Sequence, residues 1–88
     1  MSRRVEIINR LGLHARAAAK LATLAARFDA QIHVRHGERT VNAKSIMGLM
    51  MLAAVPGTRL DIIAEGGDEQ QAIDEIAKLV AARFGEAA

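Results

Sequence analysis

The sequence predicts an α+β fold: a single domain over residues 1–88, with a four-stranded, mostly antiparallel sheet covered on one face by three helices. Three observations predict it. At 88 residues the chain has room for one domain and no second one. The apolar period switches between about two and about 3.6 residues in the order β-α-β-β-α-β-α. The bulky apolar set is eight Leu, eight Ile, five Val, four Met and two Phe, without Trp or Tyr, enough for one thin core. A further 18 residues are alanine, which lets layers lie close.

The elements follow in order. Val5, Glu6 and Ile7 alternate as a first strand over residues 3–8, and Asn9-Arg10-Leu11-Gly12 interrupts it as a loop. From Ala15 the period is helical, with Ala18, Leu21, Ala22, Ala25 and Phe28 on one stripe and an alanine-rich tail reaching Ala30. Gln31 to Arg35 alternates with Ile32 and Val34 on one face, Gly37 turns the chain, and Arg39 to Asn42 returns as a hairpin partner. A short helix fits Ser45 to Ala54, capped by Ser45 and ended by Pro56-Gly57. Leu60, Ile62 and Ala64 alternate with Asp61, Ile63 and Glu65 as a fourth strand. After Gly66-Gly67, Asp68 with Gln71 has the capping-box pattern of a last helix. Its buried stripe is Ile73, Ile76, Ala77, Val80 and Phe84, with Asp74 and Lys78 as an outer i,i+4 pair.

Composition excludes several classes. Charged residues at 25% and a mean hydropathy of +0.12 argue against disorder. Without cysteine there is no disulfide scaffold, thiol nucleophile or thiolate zinc site. The longest apolar run, Leu49 to Val55, falls far short of the ~20 residues of a membrane span. Met1 to Glu6 lacks the apolar stretch of a leader, so a cytoplasmic protein is expected. Net charge is +2, but it divides unevenly: residues 1–44 carry +6 and residues 45–88 carry −4. A basic half suits nucleic acid, a membrane surface or an acidic partner.

Few residues can carry chemistry. No phosphate-binding glycine loop, His-Glu-x-x-His or metal-ligand spacing of the histidines occurs, and no cofactor or metal is expected. His33 and His36 read as solvent-facing strand residues. His14 sits where a loop becomes a helix, after Gly12-Leu13 and two residues before Arg16. A helix N-terminus presents free N–H groups and disfavours a cationic imidazole, leaving His14 a nucleophile. A phosphoryl group accepted there would meet those N–H groups and Arg16; alternatively, His14 is only a polar helix-start residue. Ser45 repeats the placement on the second helix, where capping alone accounts for it and a phosphate is electrostatically tolerated beside Lys44. That helix is apolar almost all round, so Ile46, Met47, Met50 and Met51 form either a Met-rich core or an exposed docking surface. RNA binding on such a sheet requires strand aromatics, whereas Phe28 and Phe84 fall on helix stripes.

The segment Gly12-Leu13-His14-Ala15-Arg16-Ala17-Ala18 closely resembles the active-site motif of HPr, the histidine-containing phosphocarrier family of the bacterial phosphotransferase system. Lys44-Ser45-Ile46-Met47-Gly48-Leu49 is similar to that family's regulatory serine region, and the spacing, length and element order agree. The resemblance implies an HPr-like open-faced sandwich. It implies that His14 accepts a phosphoryl group through Nδ1 from phospho-enzyme I and passes it to enzyme IIA domains, with Arg16 neutralising the phosphoryl oxygens. It further implies Ser45 as the site for an HPr kinase/phosphorylase, and Ile46, Met47, Met50 and Lys20 as docking residues, with Leu49 and Leu52 facing the core. The protein would be a monomeric carrier rather than an enzyme with a free substrate. The alternatives are a carrier of a regulatory, nitrogen-type branch and, in another class, a small basic RNA-binding module. One departure stands out: where the family usually has proline after the arginine, position 17 is alanine.

Overall fold

In a computed structural model describing all of residues 1–88, four strands form one sheet in the order β1-β4-β2-β3. β1 is Ser2–Glu6, β2 Gln31–His36, β3 Arg39–Asn42 and β4 Arg59–Glu65. Every neighbouring pair is antiparallel, where the pattern had required only most of them to be. Helices α1 (Ala15–Ala25), α2 (Ile46–Met50) and α3 (Glu69–Ala81) complete the β-α-β-β-α-β-α order, and a 3₁₀ turn over Arg83–Gly85 follows.

Register explains which face is covered. Ile62 of β4 lies opposite Val34 of β2, which lies opposite Val41 of β3, so one apolar row crosses three strands. Leu60, Ala64 and Ile32 share that face and are buried under the helices. Against it α1 lays Ala17, Ala18, Leu21, Ala22 and Ala25, and α3 lays Ala72, Ile73, Ile76 and Val80. The small buried side chains of α1 let that helix lie close to α2 and α3, which accounts for part of the alanine excess. The opposite face stays open and polar, with a row in which Asp61 accepts from Arg4 (3.1 Å) and Arg35 (3.3 Å).

Element ends differ from the periodicity where distant groups intervene. β1 leaves the ladder after Glu6 instead of reaching residue 8, although Ile7 keeps two backbone bonds to Gly57 and Thr58. α1 stops at Ala25 rather than running on to Ala30, because the Asp29 and Ala30 N–H groups both donate to the Asp68 carboxylate (2.9 Å each). Phe28 is therefore buried from a turn. That same pairing takes Asp68 away from capping α3, so the expected capping box with Gln71 does not form. Glu69 instead accepts from the Gly66 N–H (3.2 Å). The Asp74–Lys78 pair is also not made: Asp74 accepts from Arg3 and Gln70 (3.0 Å each), and Lys78 lies near Glu75. Ala77 is only half-buried, Ala72 taking the core position, and Phe84 is fully buried from the 3₁₀ turn beyond α3.

α2 is half the expected length. Ser45 caps it as expected, accepting the Gly48 N–H (3.0 Å). Ala53, however, turns to a left-handed φ of 49°, and the Ala54 carbonyl accepts the Leu13 N–H (2.9 Å). A longer helix would lose that bond, which fastens the segment after α2 to the loop entering α1.

Candidate functional site

The loop from Asn9 to Leu13 delivers His14 to the start of α1. Asn9 is fully buried, and its Nδ2 donates back to the Gly12 carbonyl (2.8 Å), closing the loop as a tight turn. Gly12 adopts φ +68°, and a Cβ there would lie 2.5 Å from the Ala54 carbonyl oxygen. Only glycine satisfies both the handedness and the close approach.

His14 is the N-cap residue of α1 in extended geometry, and its side chain does not cap the helix. The N–H groups of Ala15, Arg16 and Ala17 have no acceptor, so the positive end of the helix stays open beside the imidazole. Ala17 thus stands where proline would cost no hydrogen bond; alanine leaves φ less restricted. The imidazole is about a third exposed, with Nε2 2.6 Å from Glu86 Oε2 and no partner on Nδ1. Arg16 is exposed and forms neither an ion pair nor a hydrogen bond, the state of a guanidinium available to an incoming anion.

Pattern reading missed two participants. Glu86 lies 72 residues from His14, and its other oxygen accepts from Asn9 Nδ2 (3.0 Å). The Asn9 hydrogen bond first, and then that from His14, hold the Glu86 carboxyl below the usual carboxylate range. No local signal marks either residue, since their meeting depends on how the segment after α3 returns.

Lys20 is exposed along its stem, but its ammonium donates to the Phe84 carbonyl (2.6 Å), fastening the 3₁₀ turn to α1. With Arg16, Ala19, Thr23, Leu24, Arg27 and Leu79 it lines an open cleft of about 460 Å³ on the outer side of α1. On α2, Ile46, Met47 and Met50 are 43%, 72% and 42% exposed, whereas Leu49 and Leu52 are buried. Met51 of the same candidate set is exposed too, and Leu11 and Val55 are exposed outside it. Ser45 is half-buried, and the Lys44 ammonium turns to the Phe28 carbonyl (2.8 Å) rather than to Ser45. His33 sits on the open sheet face and His36 is exposed; neither joins the His14 group. Both phenylalanines are buried, so that face carries no Phe, Tyr or Trp ring on which a base could stack. No helix is long and apolar enough to cross a membrane.

Residues 1–82 match the family signature described as "PTS HPr component phosphorylation site". The chain belongs to the HPr family. The phosphocarrier protein HPr of Cupriavidus necator is 51% identical over 86 residues, covering 98% of this chain and 97% of the relative. Phosphocarrier protein NPr of Shewanella violacea is 47% identical, covering 99% and 96%. Among solved structures, HPr-C-His from Thermoanaerobacter tengcongensis superposes with a TM-score of 0.96 at 42% identity, covering 100% of this chain and 99% of that one. An HPr-type phosphocarrier therefore has the fold expected from the sequence, and its work is carrying a phosphoryl group within the phosphotransferase system. HPr from the same Thermoanaerobacter species is also described as a dimer, at a TM-score of 0.80 and 45% identity, with 93% and 94% coverage.

Proposed function

We propose that His14 Nδ1 is the atom that carries the phosphoryl group, received from the phosphohistidine of enzyme I and handed to a histidine of an enzyme IIA domain. One observation carries this reading: an imidazole with an unpartnered Nδ1 stands at the open N-terminus of α1, beside an unpaired arginine. The lone pair attacks phosphorus, and the three phosphoryl oxygens are met by uncommitted backbone N–H groups and the Arg16 guanidinium. The site is shallow and solvent-facing, so a partner can reach the phosphorus and take it in line. Ile46, Met47 and Met50, with the stem of Lys20, form the docking surface, and the basic residues of α1 favour acidic partners. The protein acts in the cytoplasm as a monomeric carrier.

Ser45 is the regulatory position. A phosphate on its Oγ would offer acceptors to the N–H groups at the start of α2 and place about 1.5–2 negative charges at the docking helix, repelling an acidic partner. The 47% identity to an NPr keeps a regulatory-branch donor as a second reading. Phosphorylation with enzyme I and phosphoenolpyruvate should give an acid-labile phosphate that His14→Ala abolishes; label persisting in that variant overturns the assignment. Running the same assay with sugar-branch and nitrogen-branch enzyme I separates the two branches by rate.

A further inference from the structure

The proposed carrier chemistry leaves unused the group nearest His14. Glu86 is the one carboxylate bonded to His14, and the chain is fastened on both sides of it. Phe84, two residues before it, is fully buried, and its carbonyl accepts from Lys20 (2.6 Å). Two residues after it, the Ala88 carbonyl accepts the Arg10 N–H (3.0 Å). Asn9 Nδ2 donates to Oε1 (3.0 Å), which leaves Oε2 aimed at His14 Nε2 at 2.6 Å. The loop that positions His14 and the segment that positions Glu86 are thus tied to each other through Asn9.

We infer that Glu86 is a positioning residue for phosphoryl transfer, keeping the proton of His14 on Nε2 so that Nδ1 is both the nucleophile and the leaving atom. The inference rests on the carrier reading above. An ionised carboxylate only accepts, so a 2.6 Å contact requires Nε2–H, and the lone pair of the neutral ring then lies on Nδ1. On acceptance, the Nδ1 lone pair forms the bond to phosphorus while the bond from phosphorus to the donor's imidazole nitrogen breaks, its electron pair returning to that donor. The ring now holds both Nδ1–P and Nε2–H and is cationic, and the carboxylate offsets that charge. On delivery, the acceptor's imidazole nitrogen attacks phosphorus, the P–Nδ1 bond breaks, and its electrons return to Nδ1. Because Nε2 has kept its proton, the departing ring is neutral imidazole. Without that proton it would leave as an imidazolate, a far poorer leaving group.

The test uses the full chain with its imidazoles labelled with ¹⁵N, as wild type, Glu86→Gln and Glu86→Ala. In unphosphorylated wild type above neutral pH, the nitrogen shifts of His14 should report the Nε2–H tautomer alone, and both variants should show a mixture. Phosphoryl acceptance from phospho-enzyme I and delivery to enzyme IIA should both slow about tenfold, the scale of losing a charge-assisted hydrogen bond. Variants that melt as cooperatively as wild type, yet keep its tautomer and transfer rates, would reduce Glu86 to a fastener of the segment after α3. Should the variants fail to fold, an Nδ1–H tautomer in wild type itself overturns the inference. Wild type that takes no acid-labile phosphate sinks the carrier reading and this inference with it, whereas a phosphorylated wild type with unchanged variants sinks the inference alone.

Discussion

Gly12 sets how closely two loops can approach at His14. A methyl group there would sit 2.5 Å from the Ala54 carbonyl oxygen, and φ +68° is strained for any L side chain. Gly12→Ala should therefore destabilise the protein by about 2–4 kcal/mol, read as a shift in the denaturant midpoint, and slow phosphorylation by displacing the loop. Loss of less than about 0.5 kcal/mol would mean that the loops part without cost, against the well-packed contact seen here. Ser45 presents the milder case. Its Oγ caps five residues of helix through one bond to Gly48, so Ser45→Ala should cost about 1 kcal/mol. The same substitution should abolish any acid-stable phosphate added by an HPr kinase with ATP. Continued labelling of Ser45→Ala would move the regulatory site elsewhere.

At the level of elements, Asp68 joins parts of the chain that sequence distance separates. Its carboxylate takes the Asp29 and Ala30 N–H groups, ending α1's turn and starting β2 while sitting at the head of α3. Asp68→Ala should leave the sheet intact yet speed amide hydrogen exchange at Asp29 and Ala30 by more than tenfold, with little change at Val34 or Ile62 in the sheet. Uniform acceleration would show instead that the whole fold had been loosened. This one residue also explains what the sequence could and could not reveal. Asp68 and Gln71 have the local spacing of a capping box, and the pattern was misleading because a partner 38 residues away competed for the carboxylate. Strand alternation at Leu60–Ala64 and the α1 stripe were legible because burial on one face leaves a periodic record. The positions of His14 and Ser45 at helix starts were legible because a helix start is marked within a few residues, whereas the roles read for them and for Arg16 rest on the family resemblance. Asn9 and Glu86 were not legible, since a buried amide and a carboxylate after the last helix carry no periodicity and meet only in the folded chain.

Across the whole molecule, charge is unevenly placed. Residues 1–44 hold the excess of cations, including Arg16, Lys20 and Arg27 along the α1 cleft, so association with an acidic partner should slow as salt rises. Three carboxylates that each join distant segments make a pH-dependent contribution to stability. Asp61 is held below its ordinary range chiefly by the Arg4 hydrogen bond, binding β1 and β2 across β4. Asp68 is held down chiefly by the Asp29 N–H, and Glu86 chiefly by Asn9. Because each folded-state value lies below its unfolded one, the unfolded chain takes up protons first as pH falls. Their contribution is complete above the ordinary carboxylate value of about 4 and is lost as pH drops through the depressed folded values. Thermal melts should thus give a Tm that is nearly level from neutrality to about pH 5 and declines steeply below about pH 4. Asp61→Asn and Asp68→Asn should each lower the neutral Tm and flatten the acid decline, because the amide has no proton to gain. Variants that kept the full wild-type decline would place the acid sensitivity in other groups, and the three ties would then be incidental to it.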